Sequence, residues 1–137
     1  MIEILDLNHV TLVVRDVAAA RRFYGEVLGL TEVASPPSAT HSTYWFRRGS
    51  AEIHLVPRSD AVQDPGDTPH EMDTGRDQSL SRHLALQIAD MEAAVATLQA
   101  AGVPTLLGPR LRGDGAGQLF CYDPDGHLVE LTTLPAK

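Results

Sequence analysis

Four side chains in this sequence are of the types that hold metal ions, and their positions repeat. His9 and His83 are separated by the same interval as Asp16 and Asp90, and each His precedes its Asp, a helix-like stretch and a Gly. Each copy then reaches a strand with one polar residue between aliphatics, Ile53-His54-Leu55 in the first and Val129-Glu130-Leu131 in the second. Three imidazoles and a carboxylate suit Zn, Ni, Fe, Mn or Co, and any three of them leave coordination positions for water or substrate. Such an ion polarises substrate oxygens, while His54 or Glu130 has the chemistry to move a proton. Taken singly, each histidine is an ordinary hydrogen-bonded strand residue; the joint recurrence is what points to a site. Glu130, between Val and Leu, needs solvent or a positive partner.

The elements that must position these residues follow from periodicity. Leu7 to Val14 alternates, with Val10, Leu12 and Val14 on one face and His9, Thr11 and Val13 on the other, as in a strand. Asp16 reads as the N-cap of a helix through about Leu28, closed by Gly29. Strands are expected near Thr31 to Ala34, Ser42 to Arg47 and Ala51 to Val56, the last two joined at Gly49-Ser50. The second half repeats this order: a strand from His83 to Ile88, a helix from about Met91 to Ala101 behind Asp90, and strands at Val103 to Leu107, Gln118 to Tyr122 and Leu128 to Thr132. Asp123-Pro124-Asp125-Gly126 supplies the final turn. Parity then turns His9, His54, His83 and Glu130 away from the aliphatic faces, and gives Thr11, Glu52, Gln87 and Thr132 the same direction.

The expected organisation is one domain over residues 1–137, with a first module over about 5–57, a linker over about 58–80 and a second module over about 81–134. The linker holds Pro65, Gly66, Pro69 and Gly75, an irregular stretch suited to joining modules or covering a site. His41, His70 and His127 fall in expected loops or turns and read as solvated. His70-Glu71 has no second His four residues on, so it is not a zincin helix. With a formal charge of −7 and no basic run, neither nucleic acid nor an anionic membrane is an expected partner. A lone Cys121 and a start without a leader-like pattern make the cytoplasm the expected location. No apolar run approaches the roughly 20 residues that span a bilayer.

Three segments also resemble a known family. Asn8-His9-Val10-Thr11-Leu12, Phe23-Tyr24-Gly25-Glu26-Val27-Leu28-Gly29-Leu30 and Asp123-Pro124-Asp125-Gly126-His127-Leu128-Val129-Glu130-Leu131 resemble the vicinal oxygen chelate superfamily over nearly the whole chain. That group includes glyoxalase I, methylmalonyl-CoA epimerase, extradiol dioxygenases, fosfomycin-resistance thiol transferases and bleomycin-binding proteins. The resemblance implies an α+β fold of two βαβββ modules, a cupped, barrel-like mixed sheet with helices packed outside, and one divalent metal. It implies metal ligands at His9, His83 and Glu130, and, in the glyoxalase and epimerase branches, at His54. Members of this length often form homodimers, some with each site built from halves of two chains.

The resemblance separates at particular residues. Glyoxalase I normally has Glu where His54 stands. Extradiol dioxygenases share the His9, His83, Glu130 triad and place an acid-base His near His54, but usually carry Tyr where this chain has Phe120 in the pocket. Fosfomycin transferases share the triad and a Thr matching Thr11, again usually with Tyr at Phe120, and carry C-terminal basic residues for which this chain has no match after Glu130. The expectation is a metal-dependent lyase, isomerase or dioxygenase acting on a small oxygen-rich substrate. The alternative is an antibiotic-binding protein without catalysis, in which Tyr44, Trp45 and Phe46 stack a planar or cationic ligand. Drug-binding members commonly lack the ligand set, and the plainer expectation for these three aromatics is core packing.

Overall fold

Alternating aliphatics and two capped helices build the same unit twice. The computed structural model describes residues 1–38, 42–62 and 78–135. It divides into two units, residues 1–65 and 66–137, each containing one βαβββ set. The α+β class and the repeated element order are those expected.

In the first unit, β1 (Val10–Val14) leads to α1 (Val17–Arg21), which continues as a π-helical turn over Arg22–Val27. Asp16 caps α1 by accepting from the Ala19 amide at 3.0 Å. The wider turn is closed by the Leu28 amide donating to the Phe23 carbonyl at 2.9 Å, and Gly29 takes φ 77° to leave the helix. Strands β2 (Thr31–Val33), β3 (Tyr44–Arg48) and β4 (Ala51–Pro57) complete a mixed sheet in the order β1-β4-β3-β2, with β1 parallel to β4 and the other pairs antiparallel. One face is aliphatic and aromatic: Leu12, Val14, Ile53, Leu55 and Phe46 are buried, as are Ala20, Phe23 and Tyr24 of the helical segment. This apolar burial, at about 1.5–3 kcal/mol per large side chain, drives the unit's folding.

The second unit has β5 (Leu84–Gln87), α2 (Met91–Ala100), β6 (Leu107–Leu111), β7 (Gly117–Tyr122) and β8 (Leu128–Thr132), in sheet order β5-β8-β7-β6. Asp90 caps α2 through the Ala93 amide at 3.0 Å, as Asp16 caps α1. Leu119, Cys121, Val129, Leu131 and Leu98 are buried. Asp123 shapes the β7–β8 turn: its Oδ1 accepts from the Asp125 and His127 amides at 2.9 and 2.8 Å.

Three local expectations shift. β1 begins at Val10, because its ladder with β4 starts at the Val10–Ile53 pair, so His9 lies just ahead of the strand. Likewise β5 begins at Leu84, one residue after His83. The strand expected at Val103 to Leu107 instead runs over Leu107–Leu111, through a cis Gly108–Pro109 bond and a register shift between Leu107 and Arg110. Pro109 is tolerated there because β6 is an edge strand, where a missing N–H need not break the ladder. Gly108 sits at φ 88°, and a Cβ on it would collide with the Gln118 carbonyl. Of the expected linker, residues 58–62 and 78–80 are described, with a Ser59–Val62 bridge and a short helical turn at Gln78–Leu80. His41 and His70 lie outside the described residues.

Candidate functional site

Cross-strand register places His54 at the centre of the polar face of the first sheet. It pairs with Thr11 on β1 and Trp45 on β3, while its neighbours Ile53 and Leu55 point into the core. The imidazole is buried between two rings: Trp45 lies nearly parallel at 3.8 Å (6°), and His9 stacks at 3.9 Å (21°). Two residues back on the same face, Glu52 meets the ring edge, its Oε1 2.8 Å from His54 Nε2. The other oxygen of Glu52 accepts from Arg47 Nε at 2.8 Å, and Arg47 is the register partner of Glu52.

This network decides protonation. The Arg47 guanidinium, and secondarily the His54 ring, hold the Glu52 carboxyl down to about 2. An ionised carboxylate only accepts, so His54 Nε2 carries a proton and donates it to Glu52 Oε1. For His9 the assignment is reversed: Nδ1 stands 2.6 Å from the Asn8 amide oxygen, an acceptor, which leaves the lone pair on Nε2.

The second sheet builds a comparable arrangement. His83 Nδ1 donates to the Ser81 carbonyl at 2.7 Å, and Nε2 faces Glu130 Oε2 at 2.9 Å. Glu130 is buried, and its Oε1 accepts from Gln118 Nε2 at 2.9 Å. Phe120, fully buried and the register partner of Glu130, stands edge-on to the His83 ring at 5.3 Å. With Nδ1–H committed to a carbonyl, Nε2 of His83 faces a carboxylate oxygen. Two acceptors at that distance require a cation or an added proton, so the pair is chemically suited to bind a metal ion. His9 and His83 are thus both tied at Nδ1, each by an acceptor one or two residues upstream.

Each sheet therefore assembles part of the expected set. The first brings together His9, His54 and Glu52, with Thr11 exposed beside them; the second brings together His83, Glu130 and Phe120. Gln87 is exposed, paired with Thr132, whose hydroxyl donates to the Gly117 carbonyl at 2.9 Å. Among the described residues, no group of three or more His, Cys, Asp or Glu is placed to hold a metal ion.

Sequence reasoning passed over Gln118 and Arg47. A polar residue two positions before Phe120 on β7, sharing its parity, was the available signal for the first; the cross-strand mate of Glu52 was the signal for the second. The aromatic run is split by its strand. Phe46 packs in the core, Tyr44 lies under the Arg21 guanidinium at 5.1 Å, and Trp45 covers His54. His127 is half-buried rather than solvated.

Comparison with known proteins adds the family context. The family model described as Glyoxalase/Bleomycin resistance protein/Dioxygenase superfamily matches residues 6–131. Glyoxylase I 4 of Arabidopsis thaliana is 25% identical over 131 residues, covering 95% of this chain and 71% of that protein. Among solved structures, TnmS3, an antibiotic binding protein from Streptomyces sp. CB03234, is 25% identical with a TM-score of 0.74, covering 99% of this chain and 100% of that one. FosX, a genomically encoded fosfomycin resistance protein from Listeria monocytogenes, is also 25% identical, with a TM-score of 0.68 over 94% of this chain and 91% of its own. The fold is the one these proteins share. No helix among the described residues is long and apolar enough to cross a membrane.

Proposed function

Because the chain belongs to the glyoxalase/bleomycin resistance protein/dioxygenase superfamily, we propose that it is a divalent-metal-dependent enzyme of the glyoxalase or dioxygenase type. Its substrate is a small molecule with adjacent oxygens. The metal, of the Zn, Ni, Fe, Mn or Co class, is held by His9, His83 and Glu130, with His54 as a fourth ligand or as the acid-base group. The observation that carries this reading is the shared tie of His9 and His83 at Nδ1 to an upstream acceptor, with Nε2 of His83 standing 2.9 Å from an oxygen of the buried Glu130. Orientation of a ligating imidazole by an acceptor on its other nitrogen is the usual support for a metal site.

When bound, the ion supplies Lewis-acid polarisation of the substrate oxygens. The protein residues do the rest. Thr11, Glu52, Gln87 and Phe120 line the substrate pocket, and the apolar Phe120 ring limits water at Glu130. His54 or Glu130 accepts the proton from a carbon beside a carbonyl, leaving the electron pair on the substrate, and returns it to the neighbouring carbon. The protein works as a cytoplasmic homodimer in this reading, checked by its mass in solution and by fractionation.

Metal analysis of chain purified without a chelating tag tests the proposal. Stoichiometric metal is expected in the parent and not in His83→Ala or Glu130→Ala. A parent that stays empty after exposure to Ni, Zn, Mn and Fe(II) refutes it. Oxygen uptake with catechols identifies dioxygenase chemistry, and oxygen-independent conversion of a thiohemiacetal identifies isomerase or lyase chemistry.

Trp45 favours a second reading. A tryptophan on the polar face, stacked on His54 rather than packed in the core, is a platform for a planar ligand. Antibiotic sequestration is then the function, and a thermal shift with a planar antibiotic but no turnover distinguishes it.

A further inference from the structure

We infer that Arg47 is a substrate-binding residue, whose outward guanidinium edge holds a carboxylate carried by the substrate. The substrate is then a small acid, with its adjacent oxygens at one end and its carboxylate at the other. That substrate class rests on the metalloenzyme reading above; the carboxylate site on Arg47 stands by itself.

Register places the residue. Arg47 lies on β3 between Glu52 of β4 and Thr31 of β2, and shares its face with Trp45, two positions back. Residues of that parity lie on the polar face, since Trp45 stacks on His54 while Phe46, between them, is buried in the core. His9 stands one residue ahead of the Val10–Ile53 pair, level with Glu52, so Arg47 is two strand spacings, or about 10 Å, across the sheet from it. A molecule with oxygens on an ion at His9 and a carboxylate on Arg47 therefore spans only a few carbon atoms.

The guanidinium is held side-on. It has five N–H donors in a fixed plane. Glu52 Oε2 takes the one on Nε at 2.8 Å, and among the described residues no group bonds the Nη atoms. What remains is the end-on edge, two parallel N–H groups at the spacing of carboxylate oxygens, on a side chain 49% exposed. Charge balance for Glu52 does not require this geometry: Oε1 already accepts from His54, and a point charge such as lysine would serve Oε2 as well. Bonding through Nε fixes the plane of the fork in advance, and Thr31, its register partner on β2, brings a hydroxyl to the same face. With the ionised Glu52 so near, a group of one negative charge suits the site better than doubly charged phosphate. The chain's formal charge of −7 works against anions in general, so recognition of one needs a fixed cation, and Arg47 provides it on this face.

Trp45 is the chain's single tryptophan and the next residue of this face along β3, so its fluorescence reports on the site. The full chain is titrated with benzoate, with the uncharged isostere benzamide, and with inorganic phosphate. Benzoate is expected to give a saturable change, with benzamide on the parent and benzoate on Arg47→Gln each weaker by about tenfold or more, as loss of a charge-assisted hydrogen bond implies. Arg47→Lys keeps the charge without the fork and should fall between the parent and Arg47→Gln; it decides alone if Arg47→Gln fails to fold by circular dichroism. The inference is overturned if benzoate does not bind, if benzamide binds as well, if a folded Arg47 variant matches the parent, or if phosphate binds more tightly than benzoate. A chain that takes up no metal yet binds benzoate through Arg47 sinks the metalloenzyme reading and upholds the carboxylate site; a metal-bound chain indifferent to Arg47 does the reverse.

Discussion

Replacing Gln118 with Leu isolates the support given to Glu130. Gln118 is buried, and its amide donates to Glu130 Oε1 at 2.9 Å, while Oε2 faces His83. A hydrogen bond to a charged group contributes about 1.5–3 kcal/mol, and removing the donor leaves a buried carboxylate oxygen without it. Leu conserves much of the volume, so packing contributes little to the difference. An expected loss of about 2 kcal/mol, with unfolding entropy scaled to this chain length, lowers the metal-free melting temperature by about 7 °C. Calorimetry and denaturant unfolding followed by circular dichroism measure it. A double-mutant cycle with Glu130→Gln should return a coupling of about 1–2 kcal/mol, as contacting partners do. Metal affinity in Gln118→Leu should fall about tenfold or more, because the ligand's orientation is released. A stability change under about 0.5 kcal/mol with no coupling would refute the claim that Gln118 holds Glu130.

Three further outcomes follow from the fold. Gly108→Ala should destabilise by more than about 2 kcal/mol, since φ 88° and the Gln118 carbonyl both oppose a Cβ, whereas Gly29→Ala, with φ 77° but open space, should cost about 1 kcal/mol; thermal unfolding compares them. Asp16→Ala and Asp90→Ala should each cost about 1 kcal/mol, as equivalent caps in the two modules, and urea midpoints for the pair test that equivalence. Asp114, held down to about 2 chiefly by the Arg112 guanidinium, binds protons less readily folded than unfolded. Its contribution is therefore present above the ordinary carboxylate range and lost as pH falls toward 2. The stability gap between Asp114→Asn and the parent should be small, because both partners are solvent-exposed, and should close on acidification from pH 7 to about pH 2.

Much of this architecture is local physics and was readable in the chain. Alternation at Val10, Leu12 and Val14, and at Ile53 and Leu55, decided which faces are apolar, and so which way His54 and Glu130 point. Asp16, Asp90 and the Asp123 to Gly126 turn act over three or four residues, a range within which side chain and backbone find each other without tertiary help. Strand β6 departs from its expected place for the complementary reason. Leu107 to Leu111 has no clear alternation and contains a proline, and pairing with β7 selects it as a strand.

The chain by itself determined the repeated module, the apolar and polar faces, and the residue types offered as ligands, because periodicity and capping are properties of neighbours in sequence. Tertiary structure alone decided what each ligand-type residue can do. How firmly a local acceptor is held depends on a partner brought to it by register, as Arg47 holds the Glu52 carboxylate that meets His54. Whether two imidazoles can share an ion depends on the angle between their planes, and whether a glutamate stays oriented depends on a donor across the ladder, as Gln118 is for Glu130. Those are relations between strands, set by packing, and no spacing along the chain encodes an angle.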